Sequence, residues 1–210
     1  MTDKTSTRLD AFVDAAFAFA VTLMVVGASG TGVDGDLLVN AAAAIPSFAI
    51  GFAIIALFWW AHVAWRNLRG DGGWQSLLLS LLLIFVVLVY EVPLRAMATS
   101  FAAYLSGAPG GFKGSLATLF VFYGLGFSAM SAIIALLFRD ALRNPALDLG
   151  GRRSALGQGW IWTILAGTGV VSVLMSLRFP LVAPFVYATL PLSIGLFAWR
   201  WDWGAVSPRE

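Results

Sequence analysis

Six long apolar stretches alternate with short polar connections along the chain. They run about Leu9 to Val26, Leu37 to Trp65, Trp74 to Met97, Leu116 to Phe138, Ala155 to Leu177 and Leu181 to Trp201. An α-helix rises about 1.5 Å per residue, so roughly 20 mostly apolar residues cross the ~30 Å hydrocarbon layer of a bilayer. Each stretch therefore predicts one spanning helix. Ser6 and Thr7 are candidate N-caps for the first. Pro46 lies inside the second, and Pro184 and Pro191 predict a kink or shortening in the sixth, because proline lacks an N–H and its ring pushes against the preceding turn. The connections carry turn residues: Gly27–Gly32, Gly70–Gly73, Gly107–Gly111, and Asn144-Pro145 with Gly150-Gly151. No solenoid repeat or low-complexity tract interrupts this plan, so residues 1–210 read as a single membrane domain.

Composition narrows the class. The chain is 60% hydrophobic and 11% charged, with a mean hydropathy of +0.86. Soluble domains carry about 25% charged residues, and a chain this poor in them lacks the polar surface that water requires. The expected fold is an all-α integral membrane protein with six transmembrane helices. With both termini inside, Lys4, Arg8, Arg66, Arg69, Arg139, Arg143, Arg152, Arg153, Arg200 and Arg209 fall on the cytoplasmic side, while Arg95, Lys113 and Arg178 fall outside. Ten bases against three obey the positive-inside rule, so the expected topology is N-in/C-in in the cell (inner) membrane. Met1 to Asp10 mixes acid, base and hydroxyl residues, and Asp14 interrupts the apolar run behind it, so no cleavable signal is expected. Tryptophans mark the boundaries: Trp59, Trp60 and Trp65 flank Arg66, and Trp74 opens the third stretch.

Charge and chemistry exclude more than they suggest. A net charge of +2, with no basic run longer than Arg152-Arg153, is no nucleic-acid footprint. There is no cysteine and one histidine, so no metal cluster or thiolate chemistry is expected, no cofactor is implied, and nothing resembles a Ser/His/Asp arrangement. The chain is not expected to be an enzyme. A carbonyl selectivity filter of the Thr-Val-Gly-Tyr-Gly kind is also missing.

Asp14 is the most informative residue. A carboxylate inside an apolar span is costly and normally faces a partner or water. His62 sits at a comparable depth at the end of the second span, and the two are placed to meet across the helix pair, either as a structural lock or as a titrating pair. At about 100° per residue, Phe12, Ala15, Phe19, Leu23 and Val26 share one stripe of the first helix. Thr22 borders that stripe and Asp14 projects from nearly the opposite side. Packing against neighbours or lipid, or lining a pore, would each use such a stripe. Glu91 and Arg95 are spaced for a local pair at the outer end of the third span. Ser128, Ser131, Thr163, Thr168, Ser172 and Ser176 are the small polar residues expected where spanning helices pack.

Arg8-Leu9-Asp10-Ala11-Phe12-Val13-Asp14 resembles the R-x-x-x-F-S-D signature that opens the first span in the transmembrane protein 175 family of potassium channels, with Val13 where the pattern has serine. The continuation through Thr22 to Val26 looks like the rest of that family's first helix. Trp59-Trp60-Ala61-His62-Val63-Ala64-Trp65-Arg66 is similar to the end of its second. The resemblance implies a homotetrameric, potassium-selective leak channel whose first helices line the pore. Phe19, Leu23 and Val26 would be the constricting rings, with Phe19 bulkier than the usual Ile or Leu. Thr22 would be the selectivity hydroxyl, and Arg8, Phe12, Asp14 and His62 the network that holds the fold. K⁺ and the lipid bilayer would be the partners. A small proton-coupled secondary transporter, with Asp14 and His62 as its relay, and a membrane scaffold without transport are the competing readings.

Overall fold

Long uninterrupted runs of good helix formers leave the backbone one way to satisfy its hydrogen bonds in lipid, which is internally. A computed structural model of the chain, describing residues 3–28, 36–106 and 115–201, is helical almost throughout, with no strand among those residues. The helices are α1 (Asp3–Ala28), α2 (Asp36–Arg69), α3 (Trp74–Ser106), α4 (Leu116–Ala141), α5 (Leu149–Arg178), α6 (Ala183–Tyr187) and α7 (Leu190–Arg200). α2 to α5 are each long and apolar enough to cross a membrane. α1, with 26 residues, has the length for a crossing and carries Arg8, Asp10 and Asp14 in its first half.

Boundaries depart from expectation where local chemistry is strong. α1 starts at Asp3, so Ser6 and Thr7 lie within it rather than capping it. α2 runs through Pro46. α5 begins at Leu149, earlier than the apolar run, because Asp148 caps it by accepting a hydrogen bond from the Gly151 amide at 2.7 Å. The sixth stretch is divided. α6 has five residues, the chain turns at Ala188 and Thr189, and α7 restarts with Pro191 in its first turn, where its missing N–H has no carbonyl to serve. The glycine loops expected at Gly27–Gly32 and Gly107–Gly111 fall wholly or partly outside the described residues, as do Lys4's side chain, Lys113 and Arg209.

α4 is the centre of the fold. Phe138, Leu137 and Ile134 are fully buried on it, and Phe127 meets Phe58 of α2 edge-on at 5.8 Å. Phe58 also packs on Trp162 of α5 at 5.2 Å. α4 and α5 approach most closely where both are smallest. A Cβ on Gly124 would lie 3.0 Å from the Gly169 carbonyl oxygen, and one on Gly169 would lie 3.0 Å from the Gly124 oxygen. Ser128 Oγ donates to the Ala166 carbonyl across the same seam at 2.8 Å. Small residues and an interhelical hydroxyl bond are what holds helices together when the solvent is as apolar as the side chains. On the far side of α4 lie α2 and α3, and α1 packs in turn against those two.

Candidate functional site

The faces of α1 follow from what α2 and α3 cover. Leu9, Val13, Phe17, Ala20 and Met24 form a buried stripe at steps of three and four residues. This face was not evident from periodicity, because α1 is apolar nearly all round and no polar contrast marks which side turns inward. Val13, standing where the family signature has serine, is completely buried in the apolar core. Its side chain packs as a hydrocarbon where a hydroxyl would need a partner.

The stripe read from the sequence points away from this core. Phe12 is 56% and Phe19 55% exposed. Thr22 is also exposed and Leu23 is half-buried. Val26 lies in α1, but its side chain falls outside the described residues. The chain's own core therefore does not take up this face. Thr22 Oγ1 donates its proton to the Ala18 carbonyl at 2.9 Å, which leaves the hydroxyl's lone pairs to the exposed side.

Asp14 lies on the opposite border of the exposed arc and accepts a hydrogen bond from Trp59 Nε1 at 2.8 Å. His62 is buried, with Nε2 3.0 Å from Ser80 Oγ and its ring 4.9 Å from that of Trp65. The expected meeting of Asp14 with His62 is thus replaced by two separate ties. Asp14 fastens α1 to α2, and His62 fastens α2 to α3. Aromatic N–H and hydroxyl partners were available nearer each group, and neither needs the other. Arg8 is exposed two turns before Asp14.

Sequence reasoning missed the ion pairs beside these residues. Arg66 Nε donates to both carboxylate oxygens of Asp10, at 2.9 and 3.0 Å, and its other end reaches the Gly70 carbonyl. Gly70 has φ +62°, the left-handed conformation that closes α2 and that glycine adopts without strain. Asp140 of α4 is buried and accepts from Arg69 Nε at 2.9 Å and Ser76 Oγ at 2.5 Å, with Arg143 at 3.7 Å. Asn144 Nδ2 donates to the Leu68 carbonyl at 2.9 Å. Opposite charges at the ends of apolar runs on one side of the membrane were the available signal. The ends of α1, α2, α3 and α4 are thereby sewn together at the base-rich end. Farther along α3, Glu91 and Arg95 form the expected pair at 3.8 Å, although Glu91 itself is buried. No group of three His, Asp or Glu residues that would hold a metal occurs among the described residues.

Residues 8–91, which include every residue singled out above on α1 and α2, match the family model described as endosomal/lysosomal potassium channel TMEM175. A protein of Marivirga tractuosa named "Potassium channel" is 32% identical over 159 residues, which make up 69% of this chain and 62% of that protein. The chain thus spans less than two thirds of that relative's length. Among solved structures, a crystal structure of a variant of the potassium channel MtTMEM175, in complex with a Nanobody–MBP fusion protein, superposes with a TM-score of 0.75. It covers 91% of both chains at 23% identity, a likeness of fold.

Proposed function

We propose that this chain, which belongs to the TMEM175 family, forms a potassium-selective, leak-type cation channel lined by α1 from each of four identical copies. The observation that carries this reading is the outward face of α1. Phe12 and Phe19 stand more than half exposed on a helix whose opposite side is locked into the core, in the segment that the family model matches. Related proteins named as potassium channels supply the ion. Four copies bring that face to a common axis. In this arrangement both termini and the base-rich end lie in the cytoplasm of a cell whose inner membrane holds the channel.

Phe19, Leu23 and Val26 then form stacked apolar rings, about 6 Å and 4.5 Å apart along the helix. An ion passing them sheds water without receiving replacement ligands, which opposes conduction. Thr22, with its lone pairs turned outward, is the one oxygen donor at that level of the face, and it is assigned to K⁺ preference. Arg8, Phe12 and Asp14 are assigned, as signature residues, to holding the fold at α1, and His62 to holding α2 against α3. The proton-carrier reading loses its link, since Asp14 and His62 bond to different partners.

Ion flux into liposomes reconstituted with the purified protein tests the proposal. K⁺ flux should follow the K⁺ gradient and exceed Na⁺ flux. Leu23→Ser and Phe19→Ala should raise cation flux, and Thr22→Ala should lower the K⁺/Na⁺ ratio without loss of folded protein. Unchanged flux in folded Leu23→Ser and folded Phe19→Ala removes α1 from the pore.

A further inference from the structure

α1 is fastened differently along its length. Asp10 and Asp14 tie its first half to Arg66 and Trp59 of α2. Beyond Asp14 the helix carries no charged side chain, and its one hydroxyl, on Thr22, donates to the helix's own Ala18 carbonyl. At the level of Phe19, Leu23 and Val26 the place of α1 is therefore set by the shape of what stands behind it.

What stands there is a notch. α2 turns Phe48, Gly51, Ile55, Phe58, His62 and Trp65 toward the core at steps of three and four residues. Every member of that row but Gly51 is bulky. A Cβ on Gly51 would overlap the methyl group of Met24, come within 2.6 Å of its sulfur, and stand 3.9 Å from the Cβ of Ala98 on α3. Met24 and Ala98 are both buried. The absent side chain thus leaves a space between α2 and α3, and the end of the Met24 side chain fills it.

Met24 lies behind the residues assigned to the constriction. Around α1 it stands about 140° from Phe19 and about 160° from Val26, at roughly 100° per residue. Along the helix it is within about 3 Å of the levels of Leu23 and Val26. In a close-packed interior, added atoms must displace a neighbour. Atoms added at Gly51 push Met24, and α1 with it, toward the exposed face of that helix. Atoms removed from Met24 let the helix settle back.

We propose that Gly51 is a positioning residue for conduction: the notch it leaves seats Met24 and so sets how far the Leu23 level of α1 stands from the pore axis. This rests on α1 lining the pore.

K⁺ flux per reconstituted protein in liposomes, measured beside thermal unfolding of each variant, tests it. Gly51→Val should lower K⁺ flux by about tenfold. Gly51→Ala asks only the end of a flexible side chain to turn aside, so it should fold like the wild type and lower flux by a smaller factor. Met24→Ala should raise flux. Gly51→Val combined with Met24→Ala keeps the number of side-chain heavy atoms at the contact, and should return flux to within about twofold of the wild type. Gly167→Val, where α5 leaves open space, should leave flux unchanged. Wild-type flux in folded Gly51→Val and folded Gly51→Ala overturns the proposal, even if both melt at a lower temperature, because Gly51 is then a packing residue only. Where Gly51→Val does not fold, wild-type flux in Gly51→Ala overturns it alone. Flux as low in the double variant as in Gly51→Val also overturns it, since the loss would not pass through Met24. The pore and the seat fail separately. If folded Leu23→Ser and folded Phe19→Ala conduct like the wild type, α1 leaves the pore and the seat falls with it. If those two conduct more while the Gly51 variants match the wild type, the pore stands and only the seat falls.

Discussion

Asp14 shows how one carboxylate can be anchored without an opposite charge. The Trp59 indole N–H, at 2.8 Å, satisfies one oxygen on the exposed side of the α1–α2 pair. Hydrogen bonds to a charged group are worth more than neutral ones in a protein interior, while measured values for side-chain bonds between spanning helices are smaller. About 1 kcal/mol is therefore expected for this contact. Asp14→Ala and Trp59→Phe should each lower unfolding stability in detergent by about that amount. The double variant should be little worse than either alone, because the two changes remove one interaction. Asp14 faces away from the Phe19 stripe, so the K⁺/Na⁺ flux ratio should stay unchanged in a folded Asp14→Ala protein. An altered ratio would place Asp14 in the ion path. His62 belongs to a separate tie, and its bond to Ser80 should survive the loss of Asp14.

At the scale of helices, the α4–α5 seam is the most demanding contact. Gly169 faces the Gly124 carbonyl and Ser128, so a methyl group there has no room without moving backbone. Overpacking a tight site costs roughly 1–3 kcal/mol, and Gly169→Ala should destabilise by an amount in that range. Gly167, two residues earlier on the same helix, has open space where a Cβ would go. Gly167→Ala should leave stability unchanged or raise it slightly, since alanine is the better helix former. Thermal unfolding of the two variants side by side separates a packing effect from a general intolerance of α5 to substitution. If Gly169→Ala melts with the wild type, the close approach of the two helices is not what holds them. The broken α6–α7 segment follows the other backbone rule: Pro184 and Pro191 each sit in a first helical turn, so the chain starts a helix twice where the apolar run alone predicted one crossing.

For the whole molecule, the ion pairs gather at the end that carries most of the bases. Asp10–Arg66 and Asp140–Arg69 join the ends of α1 to α4 on the side that also holds Arg139, Arg143, Arg152 and Arg153. A reporter enzyme active only outside the cytoplasm, fused after Glu210, should therefore be silent, and an active fusion would overturn the topology. The proposed pore adds a requirement of assembly, because a single subunit exposes the α1 face and encloses nothing with it. The mass of the detergent-extracted particle should correspond to four chains, and a monodisperse single chain that still conducts would overturn an axial pore.

Much of this was legible without coordinates. Apolar runs of spanning length are a one-dimensional property, and lipid permits only internally bonded backbone, so the first five helices follow from residue order, while the break of the sixth run into α6 and α7 does not. The Phe12–Phe19 stripe follows from the 100° step of a helix. Partners across helices are a different matter. Asp14 was equally free to reach His62 or Trp59 by depth alone, and the choice fell to the rotation of α2 against α1. The buried face of α1 was hidden for the same reason, since Val13 and Phe19 are both apolar and only the placement of α2 and α3 makes one core and the other surface. Asp140 joined Arg69 and Ser76 because α2, α3 and α4 end at one level, which residue order does not encode. Sequence by itself determined which segments enter the membrane and which helix carries an acid at depth. Tertiary structure alone decided which side of each helix is covered, because in a chain apolar on every face the rotation of a helix is set by shape and close packing rather than by hydrophobic contrast.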